Sequence, residues 1–360
     1  MSAIRVLIVD DSVVVRKVLC EALNSDPSIE VAGTAPSGNI ALAKIPQLNP
    51  DVITLDIEMP GLNGLETLAQ IRKLYPNISV IMCSTLTERG AAVTLEALAV
   101  GASDYVTKPS NSESLSAAKE QIRRELVEKI VSLAHRFSKS SPVFASAPVP
   151  RRRSAPAKIE ILAIGTSTGG PNALGEVIPT IPGDFPVPIV VVQHMPPVFT
   201  RLLAERLDSR SPLSVREAEP GAQLQPGTVW IARGDYHMMV QRKDKGVVLQ
   251  LTQDTPENSC RPAVDPLFRS AAATYGPRVL GVVMTGMGAD GTRGAKSIRD
   301  AGGEILIQDE ASSVVWGMPG SIASAGLADE ICPLQEIGPA IIRRVRPHAL
   351  AASIPSSRRV

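Results

Sequence analysis

Two α/β domains in series, each built on a parallel sheet, are predicted by three features of the sequence. Short apolar runs alternate with helix-period segments over the first 109 residues. A Pro-, Ser- and Ala-rich stretch without period follows, and the same alternation then resumes after Lys158. The length of 360 residues also exceeds what one ordinary core organises.

In the first domain, "IRVLIVD" (4–10), "DVITLD" (51–56), "SVIMCS" (79–84) and "ASDYVTK" (102–108) read as strands, with a weaker one at "EVAGTA" (30–35). Helical spacing lies between them, as in Val14 to Leu23 and Gly64 to Leu74. The spacing predicts one amphipathic helix from Ser112 to about Ala134, capped by Ser112 or Ser114. Residues 126–157 close that helix and form a linker, in which Arg151, Arg152 and Arg153 read as solvated charge. In the second domain the strand candidates are "IEILAIG", "PIVVVQH", "GTVWIA", "RVLGVVMTG" and "GEILIQD". "HMMVQRKDKGVVLQLTQ" reads as an antiparallel hairpin turned at Asp244 to Gly246, and residues 347–360 as a tail.

Composition excludes several classes. With 37 basic and 36 acidic residues the net charge is +1, and aromatics are 3 %, so nucleic acid is not an expected partner. No apolar run reaches the roughly 18–20 residues that span a bilayer, and the start lacks a signal-peptide pattern, so a cytoplasmic protein without membrane insertion is expected. Cys20, Cys83, Cys260 and Cys332 show no paired spacing. Cys260 sits in a polar loop, and with no histidine close in sequence a catalytic role for it is disfavoured.

Function in a parallel sheet gathers at the carboxyl edge of the strands. Asp10, Asp11 and Asp56 fall there in the first domain, with Ser84 and Lys108 ending the fourth and fifth strands. Clustered carboxylates repel unless a cation joins them, and an oxygen-only donor set suits Mg²⁺. A carboxylate beside Mg²⁺ and a lysine is suited to attack a phosphoryl group. "VLIVDDS", "LDIEMPGLNGLE", "CST" and "GASDYVTKP" together resemble the receiver domain of two-component response regulators over about residues 1–125. The resemblance implies that Asp56 accepts the phosphoryl group from a histidine kinase. It further implies that Asp10, Asp11 and the Glu58 carbonyl bind Mg²⁺ with Asp56, that Lys108 contacts the phosphoryl group, and that Ser84 and Tyr105 are the switch residues.

The loop "GTSTGG" (165–170) admits three readings. A Walker loop needs a lysine where Pro171 stands, and a dinucleotide fingerprint needs glycine where Ser167 stands. The third reading is a nucleophile turn, Gly165-x-Ser167-x-Gly169, between strand and helix. Taken alone, Ser167 capping a helix from Asn172 to Thr180 explains the loop equally well. Among the four histidines, His135 and His348 fall in solvated segments and His237 begins the hairpin. His194 follows an apolar strand, and Asp290 follows the glycine-rich turn of "LGVVMTGMGADG". Ser167, His194 and Asp290 at one carboxyl edge suit acyl transfer, with nucleophile, base and orienter in that order.

"AIGTSTGG", "VVVQHMPPVFTRLLAERL", "CRPAVDPLFRSAA" and "VVMTGMGADGTRGAK" resemble the catalytic domain of chemotaxis protein-glutamate methylesterases over most of residues 158–346. The resemblance implies that those three residues act in those roles, that Thr168 is a neighbouring hydroxyl, and that the Met287 N–H helps bind the oxyanion. It implies glutamyl methyl esters of chemoreceptors as substrates, deamidation of receptor glutamines, and no cofactor for the esterase chemistry. It also implies that the unphosphorylated receiver obstructs the esterase cleft and that phosphorylation at Asp56 weakens the obstruction. A small-ester hydrolase under phosphorylation control is left open by the residues themselves.

Overall fold

The computed structural model describes residues 3–108, 115–138 and 157–346. The chain divides into two compact units, residues 1–143 and 144–360. The predicted caps Ser112 and Ser114, Arg151 to Arg153, His348 and the predicted tail lie outside the described residues.

The first unit holds β1 (Ile4–Val9), β2 (Ile29–Ala35), β3 (Val52–Asp56), β4 (Ser79–Ser84) and β5 (Asp104–Thr107). The helices between and after them are α1 (Val13–Leu23), α2 (Gly38–Leu48), α3 (Gly64–Leu74), α4 (Glu88–Val100) and α5 (Leu115–Ser138). The strands pair in the order β2-β1-β3-β4-β5, all parallel. Val6 to Val9, Val52, Ile53, Leu55 and Val80 to Met82 are almost wholly buried, as strands covered on both faces must be. Helix α3 starts where the sequence says it should: Asn63 accepts from the Glu66 N–H at 2.9 Å, and Glu66 accepts from the Asn63 N–H at 3.0 Å. Helix α5 runs past the predicted end near Ala134 to Ser138.

The second unit begins with β6 (Ile161–Thr166), α6 (Gly170–Val177), β7 (Ile189–Gln193), α7 (Phe199–Asp208), β8 (Ser214–Glu217) and β9 (Thr228–Ile231). The hairpin β10 (His237–Lys243) and β11 (Gly246–Thr252) follows, then α8 (Val264–Tyr275), β12 (Val279–Val283) and α9 (Thr292–Asp300). β13 (Glu304–Gln308), α10 (Gly317–Ser324), β14 (Glu330–Cys332) and α11 (Leu334–Val345) complete it. Seven strands pair in the order β14-β13-β12-β6-β7-β9-β8, every neighbour parallel. The hairpin forms its own antiparallel ribbon, with Lys243 opposite Gly246. The edge strands β8 and β14 are additions to the strands expected from sequence. They span four and three residues and carry charge, which leaves little apolar pattern to detect.

Topology sets where ligands go. In the first sheet the chain leaves β1 toward β2 but leaves β3 toward β4, so a crevice opens between β1 and β3. In the second sheet it leaves β6 toward β7 and β12 toward β13, opening a crevice between β6 and β12. Phe268 on α8 is fully buried in the core shared by this sheet, α8 and the hairpin. Phe268→Ala should cost about 3–5 kcal/mol, read as a lower urea midpoint at unchanged slope.

Candidate functional site

In the first unit Asp10 stands one residue past Val9, and Asp56 ends β3 one step past the Val9–Leu55 pair. Lys108 is joined to the Ser84 carbonyl by its backbone N–H at 2.7 Å. Its Nζ then lies 2.9 Å from Asp10 Oδ2 and 2.8 Å from Asp56 Oδ1. Burial pushes the Asp56 carboxyl up, against the lowering effect of Lys108, with Asp10 adding to the rise. Burial disfavours the Lys108 ammonium, yet the two carboxylates win and raise its pKa. The exposed Asp11 completes a group of three carboxylates whose oxygens lie within 4.8 Å of one another.

That group fits a hard divalent cation. Its donors are all oxygens, and Asp10 Oδ2 is a buried oxygen whose partner is the Lys108 ammonium at 2.9 Å. The cleft above, about 240 Å³, is lined by Asp11, Asp56, Glu58, Ser84 and Lys108 among others. The Ser84 hydroxyl accepts from Thr94 Oγ1 at 2.7 Å. Tyr105 is buried, with Lys129 Nζ 5.1 Å from its ring centre and donating to its carbonyl at 2.6 Å.

In the second unit Ser167 and His194 each stand one residue past a strand, beyond the Thr166–Gln193 pair of β6 and β7. Helix α6 begins at Gly170, not Asn172, and its cap is Gly169 at φ +77°. A Cβ at Gly169 would stand 2.6 Å from Val314 Cγ2, so the turn requires glycine in both conformation and space. Ser167 therefore precedes the cap and meets the helix start only through its carbonyl, which accepts from the Gly170 N–H at 2.8 Å, so its hydroxyl is not the helix cap. Its N–H donates to the Thr285 carbonyl at 3.0 Å, and its own carbonyl accepts from Gln193 Nε2 at 2.9 Å.

Asp290 is not at a strand end. It lies seven residues beyond Val283, the last residue of β12, and just before the Gly291 cap of α9. The loop returns it to the edge, where His194 Nε2 and Asp290 Oδ2 are 2.8 Å apart. Burial alone would raise the Asp290 carboxyl, but hydrogen bonds and the charge of His194 hold it below its ordinary value. An ionised carboxylate only accepts, so Nε2 carries the proton and Nδ1 is the nitrogen left to act as base. Nδ1 faces Cys260 Sγ at 3.4 Å. Among the hydrogen bonds of the described residues, none joins the Ser167 hydroxyl to the imidazole.

Burial disfavours the imidazolium, but Asp290 and the contact with Cys260 outweigh it and raise the pKa of His194 above its ordinary value. With a folded value above the roughly 6.5 of a free histidine, the pair adds stability at low pH. That contribution is lost as pH climbs through the folded value.

The other expected residues are placed as follows. Thr168 is buried, and its carbonyl accepts from Thr285 Oγ1 at 2.9 Å. Met287 follows Gly286, whose carbonyl accepts from the N–H groups of Gly317 and Met318. The Met287 N–H is not among the backbone hydrogen bonds of the described residues. His237 is excluded as a base: it is 2 % exposed, with Nε2 donating to the Thr255 carbonyl and Nδ1 accepting from the Ala263 N–H.

Sequence reasoning missed three contributors. Cys260 has no histidine near it in the chain but touches His194 in space, which removes the ground on which it was set aside. Asn258, at φ +52°, donates to Asp290 Oδ1 at 2.8 Å. Gln193 bonds the carbonyls of both Ser167 and His194. The "HMMVQ"-to-"CRPAVD" loop geometry that delivers the first two has no periodic signature. Gln193 was detectable only as a polar residue ending an otherwise apolar strand.

A receiver sheet with an acidic, lysine-bridged crevice, joined to a parallel-sheet unit carrying a serine turn and a His–Asp pair, defines a response regulator with a hydrolase output. The chain matches the response regulator receiver domain family over residues 6–120 and the CheB methylesterase family over residues 162–341. A protein-glutamate methylesterase/protein-glutamine glutaminase of Trichodesmium erythraeum is 53 % identical over 351 residues, 96 % of this chain and 100 % of that one. One of a Nocardioides species is 51 % identical over 353 residues, 96 % of each. The crystal structure of the Thermotoga maritima CheB methylesterase catalytic domain is 44 % identical and covers 52 % of this chain and 99 % of that one, with a TM-score of 0.51. The chain belongs to the protein-glutamate methylesterase/protein-glutamine glutaminase family and carries a receiver domain ahead of its methylesterase domain.

His194 should titrate above 6.5 in the folded protein, followed by ¹⁵N-histidine NMR, which has only four residues to resolve. Asp290→Asn removes one of the two raising partners and leaves the burial and Cys260, so the value should fall. A value unmoved by Asp290→Asn would show that another group sets it.

Proposed function

We propose that this chain removes methyl esters from chemoreceptor glutamates, and deamidates receptor glutamines, through Ser167, His194 and Asp290. The observation that carries the reading is the 2.8 Å His194–Asp290 bond at the same sheet edge that projects Ser167. Ser167 Oγ attacks the carbonyl carbon while His194 Nδ1 takes its proton, and Asp290 stabilises the imidazolium. The oxyanion faces the Met287 N–H, and Thr168 lies beside Ser167 in the same loop. Collapse expels methanol from an ester or ammonia from an amide, with His194 returning the proton. Water then attacks the acyl-serine with His194 again as base, leaving glutamate.

Receivers take up phosphoryl groups, typically with Mg²⁺. Asp10, Asp11, Asp56 and the Glu58 carbonyl would hold the ion here, where it neutralises charge on the transferred oxygens. Asp56 accepts the phosphoryl group from a chemotaxis histidine kinase, Lys108 pairs with it, and Ser84 and Tyr105 respond. Phosphorylation raises the hydrolysis, which gives adaptation in chemotaxis-type signalling. A cytoplasmic location fits the four free thiols, and among the described residues no helix is long and apolar enough to cross a membrane.

The test is methanol release from a methylated chemoreceptor fragment, with and without a small phosphodonor and Mg²⁺. Ser167→Ala should lose roughly 10⁴-fold or more in turnover while keeping its fold. Asp56→Asn should keep basal release but lose the response to the phosphodonor. Turnover of free small esters without any on the receptor fragment would instead support the small-ester reading. Normal turnover in Ser167→Ala would overturn the nucleophile.

A further inference from the structure

We infer that Gln193 is a positioning residue for this hydrolysis, a buried amide clamp that sets the spacing between Ser167 and His194. The inference rests on the Ser–His–Asp reading above. Gln193 ends β7 and is 2 % exposed. Burying a primary amide is costly unless its polar atoms are bonded. Here Oε1 accepts from Thr166 Oγ1 at 2.7 Å, and Nε2 donates to the Ser167 carbonyl at 2.9 Å and the His194 carbonyl at 3.2 Å. Two carbonyls converge on one atom, so that atom must be the nitrogen, and both of its hydrogens are used.

Both bonds go to residues of the proposed machinery. A core that needed only a satisfied amide has no reason to bond the carbonyls of nucleophile and base together. The backbone around the amide is adapted to it: a Cβ at Gly170 would lie 1.9 Å from Gln193 Oε1, so the helix start must be glycine for the amide to fit. Ser167 is then held from two sides, by Gln193 on β7 and by the Thr285 carbonyl just past β12. The amide thereby ties the backbone that carries the Ser167 hydroxyl to the backbone that carries the imidazole. Asparagine would be one methylene short, and glutamate would present oxygen to both carbonyls.

The test variant is Gln193→Glu, which keeps the shape and the acceptor for Thr166 but loses the two donors. Methanol release from the methylated receptor fragment and the rate of Ser167 labelling by a fluorophosphonate are measured on the full-length chain. A misplacement of about 1 Å costs roughly 10²-fold in rate, so kcat and labelling should fall together by about 10- to 100-fold while KM changes less than about two-fold. Gln193→Met, of similar volume and without donors, replaces it if the glutamate variant does not fold, with the same expectation. A folded variant with wild-type kcat, or with KM alone changed, overturns the clamp, and so does a lower melting temperature with labelling unchanged. If wild type turns over but Ser167→Ala does too, the reading beneath it has failed and the clamp falls with it. If turnover needs Ser167 and Gln193→Glu matches wild type, only the clamp has failed.

Discussion

Asp290 is an ionised carboxylate only 2 % exposed, and such a group is stable in a protein interior only when its oxygens are nearly saturated with donors. Its Oδ2 accepts from the Val264 N–H at 2.6 Å and faces His194 Nε2, while Oδ1 accepts from the Asp265 N–H, the Gly291 N–H and Asn258 Nδ2. Two of these donors are the first N–H groups of α8, where the helix dipole also favours negative charge. Asp265 is fully buried in turn and accepts from the Gly294 N–H and Arg293 Nε, tying α8 to α9. The loop 253–263, the start of α8 and the start of α9 are therefore organised around one charge.

That organisation explains the state of the imidazole. A carboxylate held ionised keeps Nε2 protonated and leaves Nδ1 as the nitrogen that accepts a proton. The same charge stabilises the imidazolium that forms when it does. Cys260 at Nδ1 shows how tightly the loop 253–263 closes over the base.

The two units solve the same geometric problem with different chemistry. Each places reactive groups past strands that border the point where the chain reverses its winding, Asp10 and Asp56 after β1 and β3 and Ser167 after β6, because there adjacent loops part and leave a crevice. In the receiver the crevice collects carboxylates around Lys108, which suits a phosphoryl group and a cation. In the hydrolase it collects a hydroxyl, an imidazole and a distant carboxylate, which suits acyl transfer.

The parallel strands, the span of α3, the hairpin and the candidate positions Asp10, Asp56, Lys108, Ser167 and His194 were legible from the sequence. Each depends on local pattern, either apolar periodicity or a residue one step beyond an apolar run. The short charged edges β8 and β14 were not, since three or four residues carry no period. Nor were the placement of Asp290, the contacts of Cys260 and Asn258, or the bonds of Gln193. Those rest on loops whose path is set by saturating a buried carboxylate across tens of residues of separation. Local pattern determined which residues end the strands; only the packed structure decided which of them meet, because burial and hydrogen-bond saturation are properties of the whole fold.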